Sequence, residues 1–156
     1  ALGMTALYHN HDFEFQKIDG EYGLDMLYRL IPADLLQTEL DTCWVNIGGE
    51  NPADYIRKYE GRCPVVHLKD FYREAVNADE PLYELIGIKS EKKKPAKRSF
   101  EFRPVGHSMQ DFPAIIKAAE QSGASWVVVE QDQPSMDKKP MECAKMSIQY
   151  LKSIGL

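Results

Sequence analysis

The sequence has few cysteines and no long apolar run, and each shortage argues against a class of protein. Its three cysteines, Cys43, Cys63 and Cys143, are widely spaced, so neither a disulfide framework nor a CxxC zinc site is predicted. We expect the three thiols to be reduced, as is usual in a cytoplasmic protein. No apolar stretch approaches the ~20 residues that a transmembrane helix needs, so no membrane association is expected.

The chain also has fewer basic than acidic residues. The chain has 19 Lys and Arg against 24 Asp and Glu, which gives a net charge of -5. This balance argues against nucleic acid as a partner, because phosphate backbones are bound mainly by an excess of Lys and Arg. The first residues also lack the basic and apolar regions of a signal peptide. We expect a cytoplasmic protein, although a natural N-terminus upstream of Ala1 could carry a signal.

Short apolar segments alternate with segments of helical period along the chain. The predicted strands cover residues 4–9, 36–41, 65–68 and 126–129, and the predicted helices cover residues 24–31, 52–59, 111–121 and 141–154. This strand–helix order predicts an α/β fold of parallel strands with helices outside. The strands are apolar on both faces, as expected of a sheet that is covered on both sides.

The chain is long enough for about half of an eight-stranded barrel. A closed (β/α) barrel takes ~250 residues, and four strand–helix units make half of one. Four parallel strands leave two open edges, which proteins normally protect. Three explanations follow from the residues alone: the other half has been removed, two copies associate, or the fold is an open sheet.

A long insertion, at about residues 71–110, separates the third predicted strand from its helix. Insertions of this length in compact domains are usually functional lids or disordered segments. Within it, residues 83–88 and 100–104 are predicted to be short strands. Residues 91–97, rich in lysine, are the predicted disordered part.

Polar residues of the metal-ligand type follow all four predicted strands. The four strand ends read His9-Asn10-His11, Glu39-Leu40-Asp41, His67-Leu68-Lys69-Asp70 and Glu130-Gln131-Asp132. Any one of these residues could simply cap a turn. Because active sites of parallel α/β barrels lie at the carboxyl ends of several strands, the shared pattern predicts a functional site.

The alternation of side chains along a strand selects the predicted metal ligands. Residues two apart point to the same face, so one side chain from each strand end can reach a common centre. The predicted set is His9, Asp41, His67 and Glu130. Two imidazoles and two carboxylates suit Mn, Co, Zn or Fe(II) better than Ca or Mg. One divalent metal ion is therefore the predicted cofactor.

Such a site supports proton abstraction next to a carbonyl group. The metal ion polarises the carbonyl and stabilises the enediolate, while a carboxylate removes the carbon-bound proton. Glu130 is the predicted base. Glu14, His11 and Lys69 are candidates for the second acid or base, or for holding sugar hydroxyl groups.

The predicted substrate is a small carbohydrate. Trp44 would provide an apolar wall for it, and Asp132 and Asn10 lie beside the predicted ligands and are further candidates for binding it. Within half a barrel, this substrate would lose about half of its contacts, since it normally sits over the barrel centre. Either an N-terminal half-barrel or self-association is therefore expected as a partner.

Four segments of the sequence carry a resemblance to a known family. They are YHNHDFEF (8–15), ELDTCWVNIGGENPADYIRKYEGR (39–62), VVHLKDF (65–71) and WVVVEQD (126–132). Together they resemble the sugar phosphate isomerase/epimerase family of the xylose isomerase-like TIM barrels. The resemblance implies that residues 1–156 are the C-terminal half of one such barrel domain. It is specific for the superfamily and poorly specific for the substrate.

The resemblance also implies a ligand set. The family holds one divalent metal ion through Glu, Asp, His and Glu, and Asp41, His67 and Glu130 match the last three. His9 stands where many relatives have Glu, which removes one of the two carboxylates that relatives use for paired acid/base chemistry. Either Glu14 takes over that role, or the reaction differs. A second departure is Gly106-His107-Ser108, where relatives often have Gly-x-Gly.

These observations leave several functions open. The main prediction is a metal-dependent isomerase or epimerase that acts on a sugar or sugar derivative. The alternatives are a metal-dependent lyase or dehydratase acting on a keto-sugar, keto-inositol or oxidised glycoside, and an inactive barrel fragment. An apurinic endonuclease of the same superfamily is disfavoured, because it needs more metal ligands than these four strand ends supply.

Overall fold

The computed structural model describes residues 3–74 and 100–156. The strands in these residues are β1 (Leu7–His9), β2 (Lys17–Ile18), β3 (Glu21–Tyr22), β4 (Gln37–Asp41), β5 (Val65–Leu68), β6 (Asp70–Arg73), β7 (Phe100–Arg103) and β8 (Trp126–Val129). The helices are α1 (Gly23–Leu30), α2 (Thr42–Ile47), α3 (Pro52–Lys58), α4 (Phe112–Gln121) and α5 (Pro140–Ser153). None of the helices in these two ranges has the length and apolar character that crossing a bilayer requires.

Four of these strands form one parallel sheet in the order β1-β4-β5-β8. The register pairs His9 with Glu39, Asp41 with His67, and His67 with Val128. The carboxyl ends of all four strands therefore lie along one edge of the sheet. At least one helix follows each of these four strands before the next one begins or the chain ends, so the predicted α/β fold of half a barrel is confirmed.

The main core lies between the helices and one face of the sheet. Leu40, Val66 and Leu68 are fully buried there, against helix residues such as Ile56 and Ile115. The prediction that both faces of the sheet would be covered is wrong for the opposite face. On that face Trp126 is 70% exposed and Val128 is 40% exposed among the described residues. The apolar pattern of β8 therefore marks a surface that this part of the chain leaves open.

Two elements near the site differ from the prediction, the first strand in its starting residue and a short helix in its presence. The first strand begins at Leu7 instead of residue 4, because its first partner is Gln37, the first residue of β4. The short helix α2 was not predicted. It begins directly after Asp41, whose side chain accepts hydrogen bonds from the backbone N–H groups of Cys43 and Trp44, as an N-terminal cap does.

The described ends of the long insertion form a two-stranded antiparallel sheet. Strand β6 pairs with β7, from Asp70 opposite Arg103 to Arg73 opposite Phe100. The predicted strand at residues 100–104 is thus confirmed, whereas β6 was missed because it follows β5 after a single residue. The predicted strand at 83–88 and the predicted disorder at 91–97 lie outside the described residues.

Candidate metal centre

The four predicted ligands come together at the carboxyl edge of the sheet. One ligand atom from each of His9, Asp41, His67 and Glu130 can be chosen so that all four lie within 4.8 Å of one another. Each of the four residues lies at or beside the carboxyl end of a different strand of the parallel sheet. The register of the parallel strands therefore aligns their carboxyl ends, as the sequence pattern predicted. It brings residues up to 121 positions apart into one cluster.

Asp41 is fixed at the base of this cluster. Its Oδ1 atom accepts the N–H groups of Cys43 at 2.8 Å and Trp44 at 3.2 Å. Its Oδ2 atom lies 3.2 Å from Nε2 of His9. The side chain of Asn10 accepts the backbone N–H of Asp41 at 3.0 Å and is almost fully buried. Asn10, a predicted substrate-binding residue, thus links the end of β1 to the end of β4 and orients Asp41.

His67 lies between two carboxylates. Its Nδ1 atom is 2.6 Å from Oε2 of Glu130, and its Nε2 atom is 2.6 Å from Oε1 of Glu39. Burial lowers the pKa of His67, but the hydrogen bond to Glu130 and the charges of Glu130, Asp41 and Glu39 outweigh it, and the net pKa is raised. The same hydrogen bond, with the nearby ammonium of Lys69, lowers the pKa of Glu130 against the effect of burial.

Lys69 is a buried cation at the side of the cluster. Its side chain is 2% exposed, and Nζ lies 3.1 Å from Asp132, 3.3 Å from Glu130 and 3.7 Å from Asp41. Although burial lowers the pKa of Lys69, these three carboxylates raise it above its usual value. The structure thus brings Lys69 and Asp132 into the predicted site as an ion pair.

Trp44 and His11 place aromatic rings beside the cluster. The Trp44 ring is almost completely buried, and Nζ of Lys69 lies 5.2 Å from its centroid. The His11 ring is 5.2 Å from that of His9 and 5.6 Å from that of Trp44. Burial, followed by the charge of His9, lowers the pKa of His11, which favours a neutral imidazole near pH 7.

Glu14 lies apart from the four-ligand group. Its Oε1 atom accepts the Tyr8 hydroxyl at 2.7 Å, and its Oε2 atom accepts the backbone N–H of His11 at 2.9 Å. Burial and the Glu14 carboxylate together raise the pKa of Tyr8. With both oxygens engaged, Glu14 holds the turn that carries His11.

Two carboxylates of the predicted strand ends, Glu39 and Asp70, were not assigned a role in the site from the sequence. Glu39 contacts His67, and Asp70 accepts backbone N–H groups from residues 106–110. Glu39 shares a strand face with Asp41, so alternation could have found it. Asp70 could not be found in this way, because its partners are 36 to 40 positions away along the chain.

The residues present fit a divalent metal ion. Two imidazole nitrogens and two carboxylate oxygens form the mixed donor set that borderline divalent metals prefer. Asp41 is fully buried, and a carboxylate in that position is stable only beside a cation or strong hydrogen-bond donors.

Solved structures share this fold. A sugar phosphate isomerase/epimerase of Parabacteroides distasonis superposes with a TM-score of 0.72 at 22% identity, over 97% of this chain and 46% of that one. A xylose isomerase domain protein of Planctomyces limnophilus superposes with a TM-score of 0.63 at 12% identity, over 97% and 45%. The fold is therefore that of about half of a xylose isomerase-like TIM barrel.

Sequence comparison finds relatives that are named inosose dehydratases. An inosose dehydratase of Clostridium botulinum is 31% identical over 153 residues, which are 96% of this chain and 48% of the relative. An inosose dehydratase of Lacticaseibacillus casei is 27% identical over the same length. The chain thus spans about half the length of the curated relatives it matches. No model of a known protein family matches it. The predicted resemblance to the xylose isomerase-like TIM-barrel proteins is confirmed.

Proposed function

We propose that this chain supplies the metal-binding half of an active site that removes a proton next to the carbonyl of a sugar-like polyhydroxy ketone. The observation that carries the proposal is the convergence of His9, Asp41, His67 and Glu130 within 4.8 Å. A divalent ion bound by them, with Mn, Co, Zn or Fe(II) favoured over Mg, would polarise the substrate carbonyl.

The side chains around the ligands supply the proton chemistry. The lowered pKa of Glu130 keeps this carboxylate ionised, as a proton acceptor must be. Its Oε2 atom faces His67 and its Oε1 atom faces Lys69, so the two oxygens can serve different partners. The Lys69 ammonium, next to Asp132, can donate hydrogen bonds to a substrate hydroxyl group.

Elimination of water is the favoured outcome. The sequence relatives are named inosose dehydratases, and a keto-inositol carries the carbonyl, the adjacent C–H and the hydroxyl group one carbon further that elimination needs. Glu130 would take the proton from the carbon next to the carbonyl. The hydroxyl on the next carbon would leave with a second proton as water, and the Lys69 ammonium is the proposed donor of that proton.

Isomerisation or epimerisation of a sugar is the second candidate. Glu39 favours it, because this carboxylate lies 2.6 Å from His67 on the side opposite Glu130. A second carboxylate near the centre would supply the paired acid/base arrangement that relatives obtain from Glu at the position of His9. The same initial proton abstraction serves both reactions, and only the fate of the enediolate differs.

One experiment separates the two reactions. The chain is loaded with Mn²⁺ or Co²⁺, incubated with a keto-inositol and with ketoses in D₂O, and followed by NMR. Loss of water from the cyclitol supports dehydration, whereas isomers that carry solvent deuterium support the second candidate. His67→Ala should abolish either activity. The proposal is overturned if the chain binds no metal, or if His67→Ala leaves activity unchanged.

We further propose that residues 1–156 act as the C-terminal half of one barrel domain, with a second half-barrel covering the open sheet face. Exposed Trp126 and Val128 support this, as does the half-length match to the relatives. The partner is an N-terminal half-barrel or a second copy. Self-association is tested by sedimentation, which compares the mass of the purified chain in solution with that of the Trp126→Asp variant. The cytoplasmic location expected from the sequence stays a prediction.

A further inference from the structure

Glu39 stands outside the ligand group but contacts one of its members. It lies two residues before Asp41 on β4, which places its Cα about 7 Å below that of Asp41 along the strand. Its Oε1 atom is 2.6 Å from Nε2 of His67. Among the described residues, the group able to hold a metal ion does not include Glu39.

The two nitrogens of His67 face different surroundings. Nδ1 contacts Glu130, a member of the ligand group, whereas Nε2 contacts Glu39, which is not a member of that group. An ionised carboxylate can only accept hydrogen bonds. The contact with Glu39 therefore requires a proton on Nε2. Nδ1 is the nitrogen that faces a member of the ligand group, so it is the one that could exchange its proton for a metal ion.

The structure assigns Glu39 as a positioning residue that fixes the tautomer and ring orientation of His67 for metal binding. The inference rests on the proposed function, since it needs a metal ion at this centre. Imidazole ligands commonly donate their second N–H to a carboxylate, which also makes the ligating nitrogen more basic. The His67 side chain is 12% exposed and that of Glu39 is 30% exposed, so the pair is shielded enough for the hydrogen bond to hold one ring position.

The test measures Co²⁺ affinity by isothermal titration calorimetry and the visible absorption spectrum of the Co²⁺-loaded chain. Loss of a carboxylate partner of this type lowers metal affinity about 10- to 100-fold, which is the result expected for Glu39→Ala. Glu39→Gln keeps a hydrogen-bond acceptor and should lose less affinity than Glu39→Ala. Both variants should keep the shape of the Co²⁺ spectrum, because the ligand set is unchanged. Glu60→Ala, at an exposed position, is the control and should bind Co²⁺ as the unaltered chain does.

The possible results are distinct. Equal affinity of Glu39→Ala and the unaltered chain would overturn the inference and leave the proposed function standing. A changed Co²⁺ spectrum would show that Glu39 is itself a ligand, which also overturns it. No Co²⁺ binding by the unaltered chain would overturn the proposed function and the inference together. If Glu39→Ala does not fold, the comparison of Glu39→Gln with the unaltered chain decides the question.

Discussion

Asp70 accepts a hydrogen bond from the backbone N–H of Gly106, a residue 36 positions further along the chain. The same oxygen, Oδ2, accepts the N–H groups of His107 and Ser108. The other oxygen, Oδ1, accepts those of Phe71, Met109 and Gln110. One buried carboxylate thus holds the loop of residues 106–110 against the end of β5, next to Lys69.

The same loop contains the departure from the Gly-x-Gly motif at Gly106-His107-Ser108. Ser108 stands where relatives often have the second Gly of a Gly-x-Gly motif. Its backbone is not among the described non-glycine residues with positive φ, so no glycine is required there. Only Gly106, at φ 82°, occupies the left-handed region in this loop. Ser108 therefore fits this loop because its backbone is not left-handed, and its N–H is bound by Asp70 as those of its neighbours are.

Replacing Asp70 with Asn should destabilise the chain. The amide nitrogen would face backbone N–H groups that need an acceptor, and a buried unsatisfied donor costs ~1–3 kcal/mol. We expect the free energy of unfolding in urea to fall by about 2 kcal/mol or more. Asp54→Asn, whose side chain is 76% exposed, should change it by less than ~0.5 kcal/mol. Equal stability of the two variants would contradict this role of Asp70.

Substitution of Gly106 should be worse than substitution of a glycine with similar backbone geometry. A Cβ at position 106 would overlap the ring of Tyr150, whereas a Cβ at Gly20, φ 89°, would meet nothing within 4 Å. Gly20→Ala should destabilise by about 1 kcal/mol through backbone strain alone. Gly106→Ala adds crowding, which typically costs ~1–3 kcal/mol more. Thermal denaturation of both variants measures the difference, and matching melting temperatures would refute it.

Stability should depend on pH through Asp25, which joins α1 to α3. Its carboxylate accepts Tyr55 at 2.7 Å and Lys58 at 2.6 Å, and it also accepts Tyr59. Burial raises the pKa of Asp25, but these three hydrogen bonds together lower it by more than burial raises it. The net pKa in the folded state is therefore depressed. The unfolded chain, with a pKa of about 3.9, therefore takes up this proton at a higher pH than the folded chain does.

The contribution of Asp25 to stability is present in full above about pH 4 and is lost as the pH falls through the lower folded value. Asp25→Asn should consequently lower the free energy of unfolding by ~1–3 kcal/mol near pH 6 and by progressively less toward pH 2. Urea denaturation of both proteins across this range is the measurement. A destabilisation that stays constant with pH would show that ionisation of Asp25 is not involved.

Removing the charge of Lys69 should tighten metal binding while it reduces catalysis. The ammonium lies within 3.7 Å of two ligand carboxylates, Asp41 and Glu130, and repels any cation placed between them. In the Lys69→Met variant that repulsion is absent, so Mn²⁺ affinity should rise by about tenfold. Turnover of the substrate should fall, because the hydrogen-bond donor is gone.

The matched control for this charge is Lys117→Met on the exposed face of α4, which should alter neither quantity. Calorimetry measures the affinity and NMR measures the turnover. Weaker Mn²⁺ binding by Lys69→Met would mean that Lys69 organises the ligands more than it repels the metal ion, contrary to this prediction.

Much of the metal centre was predictable because it depends on local pattern and strand period. The ligand types stand at the strand ends, and alternation assigns His9, Asp41, His67 and Glu130 to one face. Hydrogen-bond partners were less predictable. Glu14 was expected near the chemistry, yet its two oxygens are held by Tyr8 and the backbone of His11, a turn geometry that spacing does not reveal.

The sequence by itself determined the strand–helix order, the half-barrel fold and the residue types of the metal centre, since hydrophobic period and strand-end composition are local properties. Only the tertiary structure decided how these residues are held. The pairing of Glu39 with His67 and the capture of the 106–110 loop by Asp70 depend on strand register and on contacts between distant segments. The sheet face left open at Trp126 likewise emerged only in three dimensions, because an apolar strand looks the same whether its second face is covered or not.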